Sequence, residues 1–240
     1  MITITESGTN VEEIAEGIYR INTPVPPTVI PGGFSFNQYL IVDDEPFLFH
    51  TGPRRMFPLV REAINKIIPV EQLRYIGLSH FEGDECGSLD MFLEIAKTAV
   101  PLCGRIAAMT SIEDVVDRSP KVLANGEQLS LGKHTIRWFD TPHLPHGWDC
   151  GLALEEHTST FLCGDLFTQP GSGAQAVVET DIWAPSEALR KKLDYYSHSP
   201  ASGEMLKRIA EYHPTTLACM HGSAWHGDGA SLLLQLAKSI

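Results

Sequence analysis

Apolar and polar positions along this chain alternate between a two-residue and a roughly four-residue rhythm. The stretches "GIYRINTPV" (17–25) and "FNQYLIVDD" (36–44) are rich in β-branched and aromatic residues and read as strands, and "EPFLFHTG" (45–52) continues them after a short acidic turn. In "RRMFPLVREAINKII" (54–68), Met56, Leu59, Val60, Ile64, Ile67 and Ile68 recur at helical spacing. A short apolar run, "LRYIGLS" (73–79), predicts a buried strand, and "ECGSLDMFLEIAK" (85–97) predicts one helix after it.

The second half repeats the scheme. "EQLSLGKHTIRWFDTP" (127–142) predicts a hairpin turning at Gly132-Lys133, and "CGLALEEHTSTFLCGD" (150–165) a second one. "APSEALRKKLDYYSH" (184–198) and "ASGEMLKRIAEYH" (201–213) read as helices, "TTLACMHG" (215–222) as a short buried strand and "GDGASLLLQLAKSI" (227–240) as a last helix. Each half is thus hairpins followed by strands and helices. This suits a layered α/β fold, two sheets face to face with helices outside, and a single domain over residues 1–240.

Composition narrows the chemistry. A net charge of −12 argues against a nucleic-acid partner and against an anionic membrane surface. The polar, acidic start "MITITESGTNVEEIAEG" lacks the basic head and apolar run of a secretion signal, and no apolar stretch is long enough to span a membrane. The 5 cysteines, an odd number without a C-x-x-C pair, predict free thiols and a cytoplasmic protein. "PGSGAQA" (170–176) has neither phosphate-loop nor dinucleotide-loop spacing and reads as a flexible loop.

The candidate chemistry sits where predicted strands end. His80, Glu82, Asp84 and Glu85 follow "YIGLS"; His143 and His146 follow "IRWFDTP"; Asp165 follows "TFLCG"; His221 follows "TLACM". A lone histidine or aspartate in such a place is an ordinary surface or turn residue. Four strand ends delivering metal-ligand types together, one of them a dense acidic cluster, predict a metal site. The donors are imidazoles and carboxylates without a thiolate, and they outnumber what one tetrahedral ion uses. That suits two metals sharing a carboxylate: iron or manganese, with zinc as the alternative.

These residues resemble a known family. The metallo-β-lactamase fold is an αββα sandwich with a binuclear site and the pattern H-x-H-x-D-H. Here His80-Phe81-Glu82-Gly83-Asp84-Glu85 has Glu at the second His position. This H-x-E-x-D variant resembles flavo-diiron proteins and the stand-alone oxygen-binding di-iron proteins. "HGWD" (146–149), "CGDLF" (163–167) and "HGSAW" (221–225) resemble the flavo-diiron segments carrying the third histidine, the bridging aspartate and the last histidine.

The resemblance implies that His80, Glu82 and His146 bind one iron, Asp84 and His221 the other, with Asp165 bridging. Glu85, where relatives often carry His, either ligates or turns away. His146 is preferred to His143, which would then stand behind the ligands; Asp149 is a further candidate there. The implied function is binding, sensing or reduction of dioxygen at two iron ions, with an external electron donor, no FMN held by this chain and a possible homodimer. The alternative is a zinc or manganese hydrolase acting on an ester, thioester or phosphate.

Overall fold

The computed structural model describes residues 1–240. Fifteen strands form two sheets. In the first sheet β1 to β8 lie side by side in chain order: Ile2–Thr3, Asn10–Ala15, Ile18–Val25, Phe34–Ile41, Phe47–Phe49, Tyr75–Gly77, Val100–Gly104 and Lys121–Leu123. Pairing is antiparallel up to β5 and parallel from β5 to β8. The second sheet contains β9 (Gln128–Ser130), β10 (Thr135–Asp140), β11 (Gly151–Glu155), β12 (Thr160–Leu162), β13 (Val177–Val178), β14 (Thr216–Ala218) and β15 (Ala224–His226), in the order β13-β15-β14-β12-β11-β10-β9.

Alternation along the strands explains the layering. Tyr39, Ile41, Phe47 and Phe49 point inward and meet Ile136, Trp138, Ala153 and Leu162 from the other sheet. Their neighbours Leu40 and Leu48 point outward, against the helices Phe57–Ile64 and Leu89–Ile95. Likewise Phe139, Leu152, Leu154 and Phe161 leave the second sheet outward, against helices Trp183–Leu193, Ser202–Ala210 and Gly229–Ala237. Each large side chain buried in this way contributes roughly 2–3 kcal/mol. The result is the αββα sandwich that the hydrophobic pattern predicts. No helix is long and apolar enough to cross a membrane.

Both predicted hairpins form, joined by antiparallel pairs β9–β10 and β11–β12. Three details differ from the pattern. The stretch 85–97 is two helices, Gly83–Cys86 and Leu89–Ile95, because the chain turns at Gly87-Ser88 to bring the hydroxyl of Ser88 to the carbonyl of Pro53. Strands β1 and β2 arise from the polar N-terminal stretch by pairing, β2 on β3 and β1 on β2, rather than by their own apolar content. The 170–176 loop is anchored: the buried guanidinium of Arg20 donates to the carbonyls of Gly173 and Gln175.

Candidate metal centre

Five segments converge on one edge of the sandwich. Strand β6 leads into His80, and the short helix Gly83–Cys86 follows it. His146 comes from the loop between β10 and β11. Strands β12 and β14 are parallel, with Leu162 opposite Ala218, so Asp165 and His221 each emerge three residues past that last pair, side by side. The sheets are tied at this edge by Gly151 N–H donating to the Ser79 carbonyl at 2.7 Å and Asn37 N–H donating to the Met220 carbonyl at 2.8 Å.

The donor atoms crowd together. Nε2 of His80 lies 3.1 Å from Glu82 Oε2 and 3.7 Å from Asp165 Oδ2. Nε2 of His146 lies 3.0 Å from the same Glu82 oxygen and 3.4 Å from Asp165 Oδ2. Nε2 of His221 lies 3.2 Å from the other oxygen, Asp165 Oδ1, and 3.5 Å from Asp84 Oδ2. Asp165 therefore divides its two oxygens between two groups of donors. His80, Glu82, His146 and Asp165 each offer a ligand atom within 4.8 Å of the others, as do Glu82, Asp84 and Glu85.

The remaining ring nitrogens of His80 and His221 are held from behind, whereas Nδ1 of His146 is buried without a hydrogen-bond partner. Nδ1 of His80 lies 2.9 Å from Ser79 Oγ, which lies 2.9 Å from Nε2 of the buried His50. Phe34 stacks on the His221 ring with centroids 4.4 Å apart, and Phe36 meets it edge-on. The Tyr195 ring packs against His146, and its hydroxyl donates to the Asp165 carbonyl at 3.1 Å. Ser35, Asn37, His50, Ser79 and Tyr195 are functional neighbours that the pattern of strand ends did not reveal. Ser79 directly precedes His80, and the others belong to other segments; none carries a spacing signal of its own.

Electrostatics of the metal-free site follow from this packing. Burial pushes the Asp165 carboxyl up, but His221, His80 and His146 outweigh it and bring it down to about 2. Burial pulls the His221 imidazole down, and the carboxylates of Asp165 and Asp84 overcome that and raise it to about 10. Hydrogen bonds from His146 and His80 hold Glu82 well below the carboxylate range. Glu85 moves the opposite way, driven up by burial and then by Asp165 and Asp84.

The candidates separate cleanly in space. His146 reaches the cluster, whereas His143 is exposed on the turn that its N–H closes onto the Gly147 carbonyl at 2.7 Å. Asp149 accepts the Phe81 N–H at 2.8 Å and so braces the loop of His80 and Glu82 from behind. Glu85 is fully buried, with Oε2 4.0 Å from His80 Nε2. Trp225 and His226 lie on β15, where His226 Nδ1 is 3.2 Å from the Thr216 hydroxyl.

The site fits a pair of cations. Buried oxygens of Asp165 and Glu85 have no hydrogen-bond partner, and every donor is an imidazole or carboxylate. Cys86, the nearest thiol in the chain to these residues, instead donates to the Glu82 carbonyl. Comparison with known proteins then places the chain: residues 34–222 match the model of the ODP family beta lactamases.

The chain belongs to that family.

Its relatives agree with the fold. The chain is 25% identical over 210 residues to a rubredoxin-oxygen oxidoreductase of Megalodesulfovibrio gigas, covering 83% of this chain and 51% of that protein. It is 25% identical over 218 residues to a nitric oxide reductase of Moorella thermoacetica, covering 86% and 53%. It therefore spans about half the length of these curated relatives. Among solved structures, a 1–254 fragment of diflavin flavoprotein A 5 from Nostoc superposes with a TM-score of 0.79 at 16% identity, covering 96% of this chain and 94% of the fragment.

Proposed function

We propose that this ODP-family chain is a non-haem di-iron protein that binds and reduces dioxygen, taking electrons from an external donor. The observation that carries the reading is the divided carboxylate of Asp165, with one oxygen toward His80 and His146 and the other toward His221. His80, Glu82 and His146 would hold one ion, Asp84 and His221 the other, and Asp165 would bridge. Two iron ions held there would supply electrons and open coordination positions for dioxygen. The relatives named for oxygen and nitric oxide reduction support small diatomic molecules as substrates.

The protein's own contribution is placement. His80, Asp165 and His221 are buried, whereas the Glu82 side chain is 54% and the His146 side chain 25% exposed, so a small molecule approaches on their side. The free, buried state of all five cysteines supports a reducing, cytoplasmic setting.

The test is metal content after purification without added metal, followed by visible absorption of the reduced protein before and after air. Two irons per chain and a new charge-transfer band are expected. Stoichiometric zinc with no optical response would sink the reading in favour of hydrolysis.

A further inference from the structure

The donor cluster makes no direct use of His50. This ring follows strand β5, is 1% exposed and stacks on Phe49 with centroids 4.2 Å apart. Its backbone holds a φ of 67°, a left-handed conformation uncommon outside glycine, and its N–H donates to the Gly77 carbonyl at 2.8 Å. Burial pulls the imidazole down to about 3, so the ring is neutral and carries a single N–H. Its two nitrogens meet different partners. Nδ1 lies 2.9 Å from Met220 Sδ, and a thioether sulfur only accepts. Nε2 accepts the Ser79 N–H at 3.3 Å and lies 2.9 Å from the Ser79 hydroxyl. Both ends agree: the hydrogen is on Nδ1 and the lone pair on Nε2. The one hydroxyl hydrogen of Ser79 then points to His50. That leaves Ser79 Oγ to accept from Nδ1 of His80, 2.9 Å away.

We propose that His50 is a positioning residue: through Ser79 it holds His80 in the tautomer whose Nε2 lone pair faces Glu82 and Asp165. The hydrogen bonds run one way, from His80 through Ser79 and His50 to Met220. Ser79 follows β6 of the first sheet; Met220 follows β14 of the second and directly precedes His221. One ring thus joins the two segments that deliver His80 and His221. The effect on metal rests on the binuclear reading above, whereas the tautomer of His50 does not. Without an acceptor at position 50, the Ser79 hydroxyl turns and donates to Nδ1 of His80. The His80 hydrogen then moves to Nε2 and blocks that nitrogen as a ligand. Ser79→Ala lacks the misdirected hydroxyl, so it weakens metal binding less than loss of the His50 acceptor does.

Nitrogen-15 NMR of the metal-free protein reads the His50 ring, and anaerobic titration with Fe(II), with bound metal counted, reads its effect. Wild type is expected to carry the His50 hydrogen on Nδ1; a hydrogen on Nε2 overturns the proposal whatever the metal content. His50→Phe keeps a ring but no acceptor, and is expected to bind one iron at least about tenfold more weakly, the scale on which the support of a ligand acts. His50→Gln, whose amide oxygen accepts from Ser79, recovers most of that loss. Adding Ser79→Ala to His50→Phe raises the affinity to that of Ser79→Ala alone, whereas two merely structural lesions would add. Wild-type affinity in His50→Phe, or a loss that neither change relieves, rejects the positioning role. Wild type that takes up fewer than two irons overturns the binuclear reading itself and leaves the His50 tautomer standing. Should His50→Phe fail to fold, Ser79→Ala decides: unchanged iron affinity rejects the proposal.

Discussion

Nδ1 of His221 lies 2.8 Å from the carbonyl oxygen of Ser35. A carbonyl only accepts, so Nδ1 carries the hydrogen and the lone pair of the neutral ring is left on Nε2, facing Asp165 and Asp84. Ser35 belongs to β4 of the first sheet and His221 follows β14 of the second. One sheet therefore selects the tautomer of a donor carried by the other.

The same strand fixes the backbone around that histidine. The Asn37 side chain donates to the carbonyls of Cys219 and Gly222 at 2.9 and 2.8 Å and accepts from Arg20 and Asn22. Asn37→Ala leaves these buried groups unpaired and is expected to destabilise the fold by about 2–4 kcal/mol. Weaker metal binding should accompany the loss. Chemical denaturation and metal counting check both, and an unchanged midpoint would refute the role given to Asn37.

Removing the divided carboxylate should differ from removing a terminal donor. Asp165→Ala is expected to lose both metals, because its oxygens face both groups of donors. His146→Ala should lose one, since its Nε2 faces Glu82 and only one Asp165 oxygen. Metal content per chain reads the difference directly; equal losses in the two variants would contradict it.

Metal loading should release protons. In the metal-free protein the His221 imidazole is raised to about 10, so near neutral pH it holds a proton that a metal must displace. Apparent affinity then rises with pH up to that value. The sign for stability without metal is the reverse. A raised folded pKa stabilises fully below the ordinary 6.5 and is lost as pH rises through about 10. Calorimetric titration in buffers of different ionisation enthalpy measures the release, and buffer-independent heats would exclude it.

Gly151 has no room for a methyl group. A Cβ there would sit 2.1 Å from Cζ2 of Trp138, and its N–H holds the Ser79 carbonyl beside His80. Gly151→Ala should destabilise by about 1–3 kcal/mol as an overpacked core position, with partial recovery when Trp138→Phe is added. Thermal unfolding of the single and double variants would show whether the tryptophan is the obstacle.

Much of this was legible in one dimension because alternation and helical spacing are local properties. Tyr39, Leu40 and Ile41 form an unbroken apolar run, which predicts a strand buried on both faces, with Tyr39 and Ile41 inward and Leu40 outward. The crowding of His80, Glu82, Asp84 and Glu85 is equally local, and it already demanded a cation. Strands β1 and β2 were not legible, because their stability comes from pairing, β2 on β3 and β1 on β2.

What the sequence by itself determined is therefore the layers, the strand ends and the kinds of donor gathered there. Only the tertiary structure decided which atoms meet. It chose His146 over His143, because the loop between β10 and β11 turns one toward Glu82 and leaves the other exposed. It made Asp149 a brace for the Phe81 N–H, and it buried Glu85, whose carbonyl accepts from Thr51. Direction is the reason. Spacing along a chain states how far apart two residues are, whereas coordination depends on where each side chain points, and contacts from distant segments set that.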